Sequence, residues 1–229
     1  MRFITLYKKE LREAAPWIIL AALSLLVIGW LMIITEAHNR ERWYYGAMSN
    51  GQVIDDYKVL RPDIMLGSAV LMFFLSIGLG LVLGIRHFLV PDFTKTWQFL
   101  IHRSTTRTVI LTAKLIAAVS ILFCLSIAWL ILAAYTHVSD RITIPAESGI
   151  VRLGVFYAYL GFIVYLGTAL CALTTTRWYT TRIFGLFFVF ITYILILSRT
   201  NFVFVFSITV FVLIVLAVQV YGTFLQKEF

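Results

Sequence analysis

Residues 64–85 read IMLGSAVLMFFLSIGLGLVLGI, an unbroken run without one charged side chain. Apolar residues occupy every face of it, at helical or strand period alike, so it is no half-buried element of a water-soluble domain. A helix needs roughly 20 mostly apolar residues to cross the hydrocarbon core of a bilayer. In lipid the backbone must also satisfy its own hydrogen bonds, which leaves helices or closed barrels, and barrel alternation is absent. Five further runs of the same character lie at 16–35, about 111–135, 151–173, 183–197 and 202–221. None has Asp, Glu, His or Arg near its middle. The expected fold is an all-α membrane protein of six transmembrane helices, a single transmembrane domain filling 1–229.

Composition agrees. Of 229 residues, 61% are hydrophobic and only 13% charged, far from the balance of a soluble domain. Six spans leave no room for a separate soluble domain. The chain has no Gly-x-x-x-x-Gly-Lys-Ser/Thr phosphate loop and so no nucleotide hydrolysis by that route. The first apolar run is of full spanning length, without a small-residue cleavage site close behind it, and reads as a span rather than a cleaved signal. Cys124 and Cys171 fall inside spans as small apolar fillers, so neither a disulfide nor a metal site is expected. His38, His87, His102 and His137 lie in loops or at helix ends without metal spacing. No Ser–His pair, Asp pair or His-Glu-x-x-His set lies in the spans, so no catalytic residue and no enzymatic activity are expected of this chain.

An even number of spans puts both termini on one side. On that side fall Arg2, Lys8, Lys9, Arg12, Arg86, Lys95, Arg103, Arg107, Lys114, Arg177, Arg182 and Lys227, against Glu10, Glu13, Asp92 and Glu228. The opposite loops carry equal numbers of cations and acids, so the net charge of +8 sits wholly on the terminal face. The positive-inside rule then makes both termini cytoplasmic, in a cell (inner) membrane. The cations hug helix ends in short segments and form no patch on a folded domain. That pattern points to anionic lipid headgroups of the bilayer and not to nucleic acid.

Residues 1–15 predict an amphipathic helix lying on the membrane. Phe3, Tyr7, Leu11 and Ala14 form one stripe, with Lys8, Lys9 and Arg12 on other faces, and Pro16 punctuates the start of the first span. The stretch 36–63 reads as an outward-facing polar loop. In the second span, Ser76, Gly80 and Gly84 recur every four residues, a small-residue face for close helix packing, either static within the chain or sliding at a subunit interface. Pro91 and Asp92 look like a helix start, with Asp92 as cap. Phe93, Trp97, Leu100 and Ile101 then share a stripe, which predicts a short cytoplasmic helix over 91–102. Lys114 lies about two turns into the third span, where its stem can snorkel back to the interface.

This cytoplasmic segment resembles that of the membrane subunits of type-2 ABC exporters. The run Lys95-Thr96-Trp97-Gln98-Phe99-Leu100 stands where that family carries Gly-Thr-Leu-Glu-x-Leu, with Gln98 in place of the usual Glu. Ser104-Thr105-Thr106-Arg107 stands for the following turn, and Lys114 for a lysine beyond it. The resemblance covers the whole chain in topology and about 25 residues in motif. It implies a permease subunit whose 91–102 helix is a coupling helix seated on a separate cytoplasmic ABC ATPase, which would hold the ATP and Mg; this chain itself would carry no cofactor. Asp92, Phe93, Lys95, Trp97, Gln98, Leu100, Ile101, Arg103 and Arg107 would form the coupling interface. A second permease copy, in a homodimer or pseudo-dimer, would complete the pathway. The rival readings are a membrane scaffold or assembly protein and an ion-coupled secondary transporter. The latter is disfavoured by the absence of ionisable residues at mid-span.

Overall fold

The computed structural model describes residues 2–49, 64–95, 97, 106–138, 148–174, 187, 190–191, 194–195 and 202–226. Among them there is no strand. The elements are helices α1 (Arg2–Ser49) and α2 (Ile64–Gly84), a π-helical turn (Ile85–Leu89), and helices α3 (Val90–Phe93), α4 (Arg107–Val138), α5 (Ser148–Leu173) and α6 (Phe202–Gln226). Five stretches are long and apolar enough to cross a membrane: Phe3–Met32, Gly67–Phe93, Arg107–Ala134, Val151–Leu173 and Phe202–Gln226. The expected span at 183–197 lies almost wholly outside the described residues, apart from Phe187, Phe190, Ile191, Ile194 and Leu195, each helical.

Two expectations at the first span change. Helix α1 passes through Pro16 without a break, so residues 2–15 are the first turns of the span and not a separate helix on the membrane surface. Pro16 removes one N–H, the donor for the Arg12 carbonyl, but its ring is exposed. Membrane helices tolerate such a loss where neighbouring groups or water satisfy the carbonyl. The packing stripe is also rotated from the one expected. Glu10, Ala14, Ala21 and Leu25 are buried, at the 3.6-residue period, whereas Phe3, Tyr7 and Leu11 are only half-buried. The helix then runs on to Ser49, through residues expected to be loop.

Helices α2 and α5 form the centre. The Ser76 hydroxyl sits 2.7 Å from the Tyr157 carbonyl and 2.9 Å from that of Phe73. A Cβ on Gly80 would collide with the Gly161 carbonyl, and one on Gly84 would fall 2.6 Å from Thr168 Cβ. The small-residue face is therefore used inside the chain, to bring two backbones together. Helix α4 also packs on α5. Trp129 Nε1 donates to the Val151 carbonyl at 3.1 Å, and its ring covers Gly154. On α6, Val205, Thr209, Val212, Leu216, Val220 and Phe224 form a buried seam. Phe204, Phe211 and Val218 face outward, as lipid-facing residues do.

The second span runs past its expected end, through the π-helical turn to Phe93. In the π turn, Val90 N–H reaches back to the Ile85 carbonyl. Pro91 follows at once and has no N–H to give, so the wider turn before it sacrifices little. The helix then stops. Thr94 N–H and hydroxyl both bond the Val90 carbonyl, at 2.9 and 2.8 Å, and Lys95 takes φ +53°. That left-handed residue is a helix terminator. Pro91 and Asp92 thus lie in the last turn of the helix that ends at Phe93.

Candidate functional site

Four polar side chains from four elements meet where the sequence showed only helix ends. Glu10 of α1 is 8% exposed, Lys114 of α4 is 4% and His87 of the π turn 1%. Lys114 Nζ donates to Glu10 Oε1 at 2.9 Å. The other carboxylate oxygen, Oε2, lies 3.4 Å from His87 Nε2, close enough for an ion pair but misaligned for a hydrogen bond. On the far side of the imidazole, Nδ1 is 3.0 Å from the Tyr165 hydroxyl of α5. An ionised carboxylate only accepts, so the ring nitrogen facing it is assigned the proton. Nδ1 is then the acceptor for the Tyr165 O–H. In that tautomer the chain Tyr165–His87–Glu10–Lys114 carries no net charge.

Lys114 therefore does not snorkel to the interface as expected. Burying an ammonium is costly unless it is paired and hydrogen-bonded, and Glu10 supplies the pair. Trp97 adds to it, its ring centroid 5.5 Å from Lys114 Nζ, within the range for cation–π attraction. The indole is buried at 1% exposure and packs on Phe224 of α6 at 5.2 Å and Phe88 at 6.3 Å between ring centroids. A second, more exposed group borders the cluster: Glu13 meets Arg86 at 3.4 Å and Lys9 at 3.8 Å.

The expected coupling residues separate into distinct environments. Phe93 is 79% exposed, and Asp92, Thr94 and Lys95 beside it are also exposed. Trp97 is turned inward, because the left-handed step at Lys95 ends the stripe that was to hold both aromatics on one face. Arg107, expected at a partner's rim, donates instead to the Leu225 carbonyl at 3.0 Å, a cation on the last turn of α6. Gln98, Leu100, Ile101 and Arg103 lie outside the described residues. Among the described residues, no three His, Cys, Asp or Glu side chains converge as metal ligands.

Sequence reading missed Glu10, His87 and Tyr165. Glu10 and His87 stand toward the ends of their spans, where a polar residue reads as interfacial, and Tyr165 lies well inside its span, where a tyrosine reads as packing. The signal that could have found Glu10 is its register with Ala14, Ala21 and Leu25, which puts an acid on the smallest, most packable face of α1. His87 likewise continues the face marked by Gly80 and Gly84. No known protein family, curated protein or solved structure matches the chain.

Proposed function

We propose that the chain is the permease subunit of an ATP-driven exporter, embedded in the cell membrane with both termini in the cytosol. In this reading, ATP and Mg are held by a separate cytoplasmic ABC ATPase, and a second permease copy completes the pathway. The observation that carries the reading is the tip at Val90–Lys95. The second span continues without a loop into this tip, which exposes Phe93, Asp92 and Lys95. Just beyond it, Trp97 is wedged between Phe88, Phe224 and Lys114. Such a tip can take a push and deliver it to the bundle, and an exposed aromatic is the usual anchor for a partner's groove. The one-sided positive charge supports placing the tip in the cytosol.

The test is co-purification with the ATPase encoded beside the gene, followed by nucleotide hydrolysis in lipid nanodiscs. Phe93→Ala and Asp92→Ala are expected to weaken ATPase binding at least tenfold, about 1.4 kcal/mol, with the permease fold intact. Wild-type affinity in both variants would refute the coupling role and favour the scaffold reading. An ion-coupled transporter gains one argument from the buried Glu10–His87–Lys114 group. Its residues, however, stand near the ends of α1, α2 and α4, and not midway along them where coupling ions are usually held. Transport driven by a proton gradient without any ATPase would establish that alternative.

A further inference from the structure

The Tyr165–His87–Glu10–Lys114 chain joins four elements through a single imidazole whose two nitrogens face groups of opposite character. We propose that this chain is a proton-responsive latch, in which uptake of one proton by His87 loosens the junction of α1, the π turn, α4 and α5 and the seating of the Trp97 ring upon it. The inference does not depend on the transport reading.

The argument is one of charge and donor count. Facing His87 are Glu10 from α1, Lys114 from α4 beyond the same carboxylate, and Tyr165 from α5, with Arg86 next to it on its own turn. Arg86 is drawn off to Glu13 at 3.4 Å, so among the described residues Glu10 is the anion that faces the imidazole. With His87 neutral, Glu10 and Lys114 balance. A second proton on the imidazole leaves two cations to share one carboxylate in a site closed to water, where such an imbalance is felt strongly. It also turns Nδ1 into a donor aimed at a hydroxyl that was donating to it, so Tyr165 must swing its proton away from the ring.

Both changes act on contacts that hold helices together. Lys114, no longer secured by Glu10 alone, is the cation under the Trp97 ring. A disturbance at His87 thus reaches the Trp97 ring. The π-helical turn carrying His87 is a second mark of a working site, since such turns concentrate at functional positions. Ionisable residues buried within membrane spans commonly serve proton relays and switches.

The test is hydrogen–deuterium exchange of the full chain in nanodiscs, at pH about 7.5 and about 5.5, on either side of the ordinary histidine range. After correction for the intrinsic pH dependence, exchange over residues 3–14 and 86–97 is expected to rise about fivefold or more in acid, as a local opening. His87→Gln, whose amide can accept from Tyr165 but cannot take up a proton, is expected to abolish the response. Lys114→Met is expected to reverse its sign, because without the competing cation a protonated His87 neutralises Glu10 and tightens the junction. Equal protection of the wild type at both pH values would overturn the proposal. So would an acid response that survives His87→Gln, or one that keeps its sign in Lys114→Met. Either variant decides the matter if the other fails to fold.

Discussion

Replacing Gly161 by Ala tests the close contact between α2 and α5. The added Cβ would stand 2.5 Å from the Ser76 carbonyl oxygen and 3.0 Å from Leu122 Cδ2. The Leu122 side chain can move aside, but the Ser76 carbonyl is helix backbone, so α2 and α5 must part by about 1 Å to restore an ordinary contact. A gap of that size forfeits a quarter to a half of each dispersion contact across the seam, and roughly 40 contacts at about 0.15 kcal/mol each put that loss near 2 kcal/mol. Stretching the bond between Ser76 and the Tyr157 carbonyl adds about 0.6 kcal/mol, the average for such bonds in membrane helices. The expected destabilisation is therefore about 2–3 kcal/mol, in the range for overpacked cores. Gly80→Ala, which drives a methyl group onto the Gly161 carbonyl, should cost at least as much. Gly78 lies on the same helix with open space around it, and Gly78→Ala should cost nothing. The assay is reversible unfolding in mixed micelles by titration with a denaturing detergent. A Gly161→Ala protein within about 0.5 kcal/mol of wild type, the usual effect of an uncoupled surface change, would refute the backbone contact. A Gly78→Ala loss equal to that of Gly161→Ala would refute its localisation.

Other expectations follow from the same geometry. Trp97→Ala should destabilise the fold by about 3–5 kcal/mol, as large buried aromatics do, while Phe93→Ala should change stability by less than about 0.5 kcal/mol; detergent unfolding of the two variants separates an internal wedge from an exposed tip. Breaking the buried pair by Glu10→Gln or Lys114→Met should cost about 3–5 kcal/mol, and the double variant should recover much of that because neither charge is left alone; a double-mutant cycle measures it, and strict additivity would exclude the pairing. Cys124 is exposed on a spanning segment of α4, so in intact bilayers it should resist charged thiol reagents and react only after detergent extraction, because a charged reagent does not enter the hydrocarbon core; rapid labelling by a charged reagent in bilayers would place it against water.

The spans were legible because an apolar run with no polar face has one stable home, and α2, α4, α5 and α6 follow their expected runs closely at the membrane core. Their ends were less legible. Pro91, Asp92 and the Thr94–Lys95 stop read equally well as the start or finish of a helix, and only the left-handed backbone at Lys95 decides between them. The buried cluster was hidden for a different reason. Glu10, His87, Lys114 and Tyr165 are far apart in the chain; the first three alone are ordinary residues toward the ends of spans, and Tyr165 alone is an ordinary aromatic inside one. Their meeting depends on how four elements rotate about their axes, which hydropathy does not specify. The choice of stripe on α1 shows the same limit, since Phe3, Tyr7 and Leu11 are more hydrophobic than Ala14 and Ala21. Small size, and not greasiness, selects the face that meets another helix in lipid.

The unbroken run of α1 has a mechanical consequence. At about 1.5 Å per residue, a helix of 48 residues is about 72 Å long, whereas a bilayer with its headgroups measures only about 40–45 Å. The helix is thus longer than such a bilayer is thick, and Glu10 lies near its foot. A lean of about 5° around Glu10 would carry the Ser49 end, about 59 Å away, sideways by about 5 Å. Whatever grips or releases Glu10 therefore has leverage at the far end of the same helix.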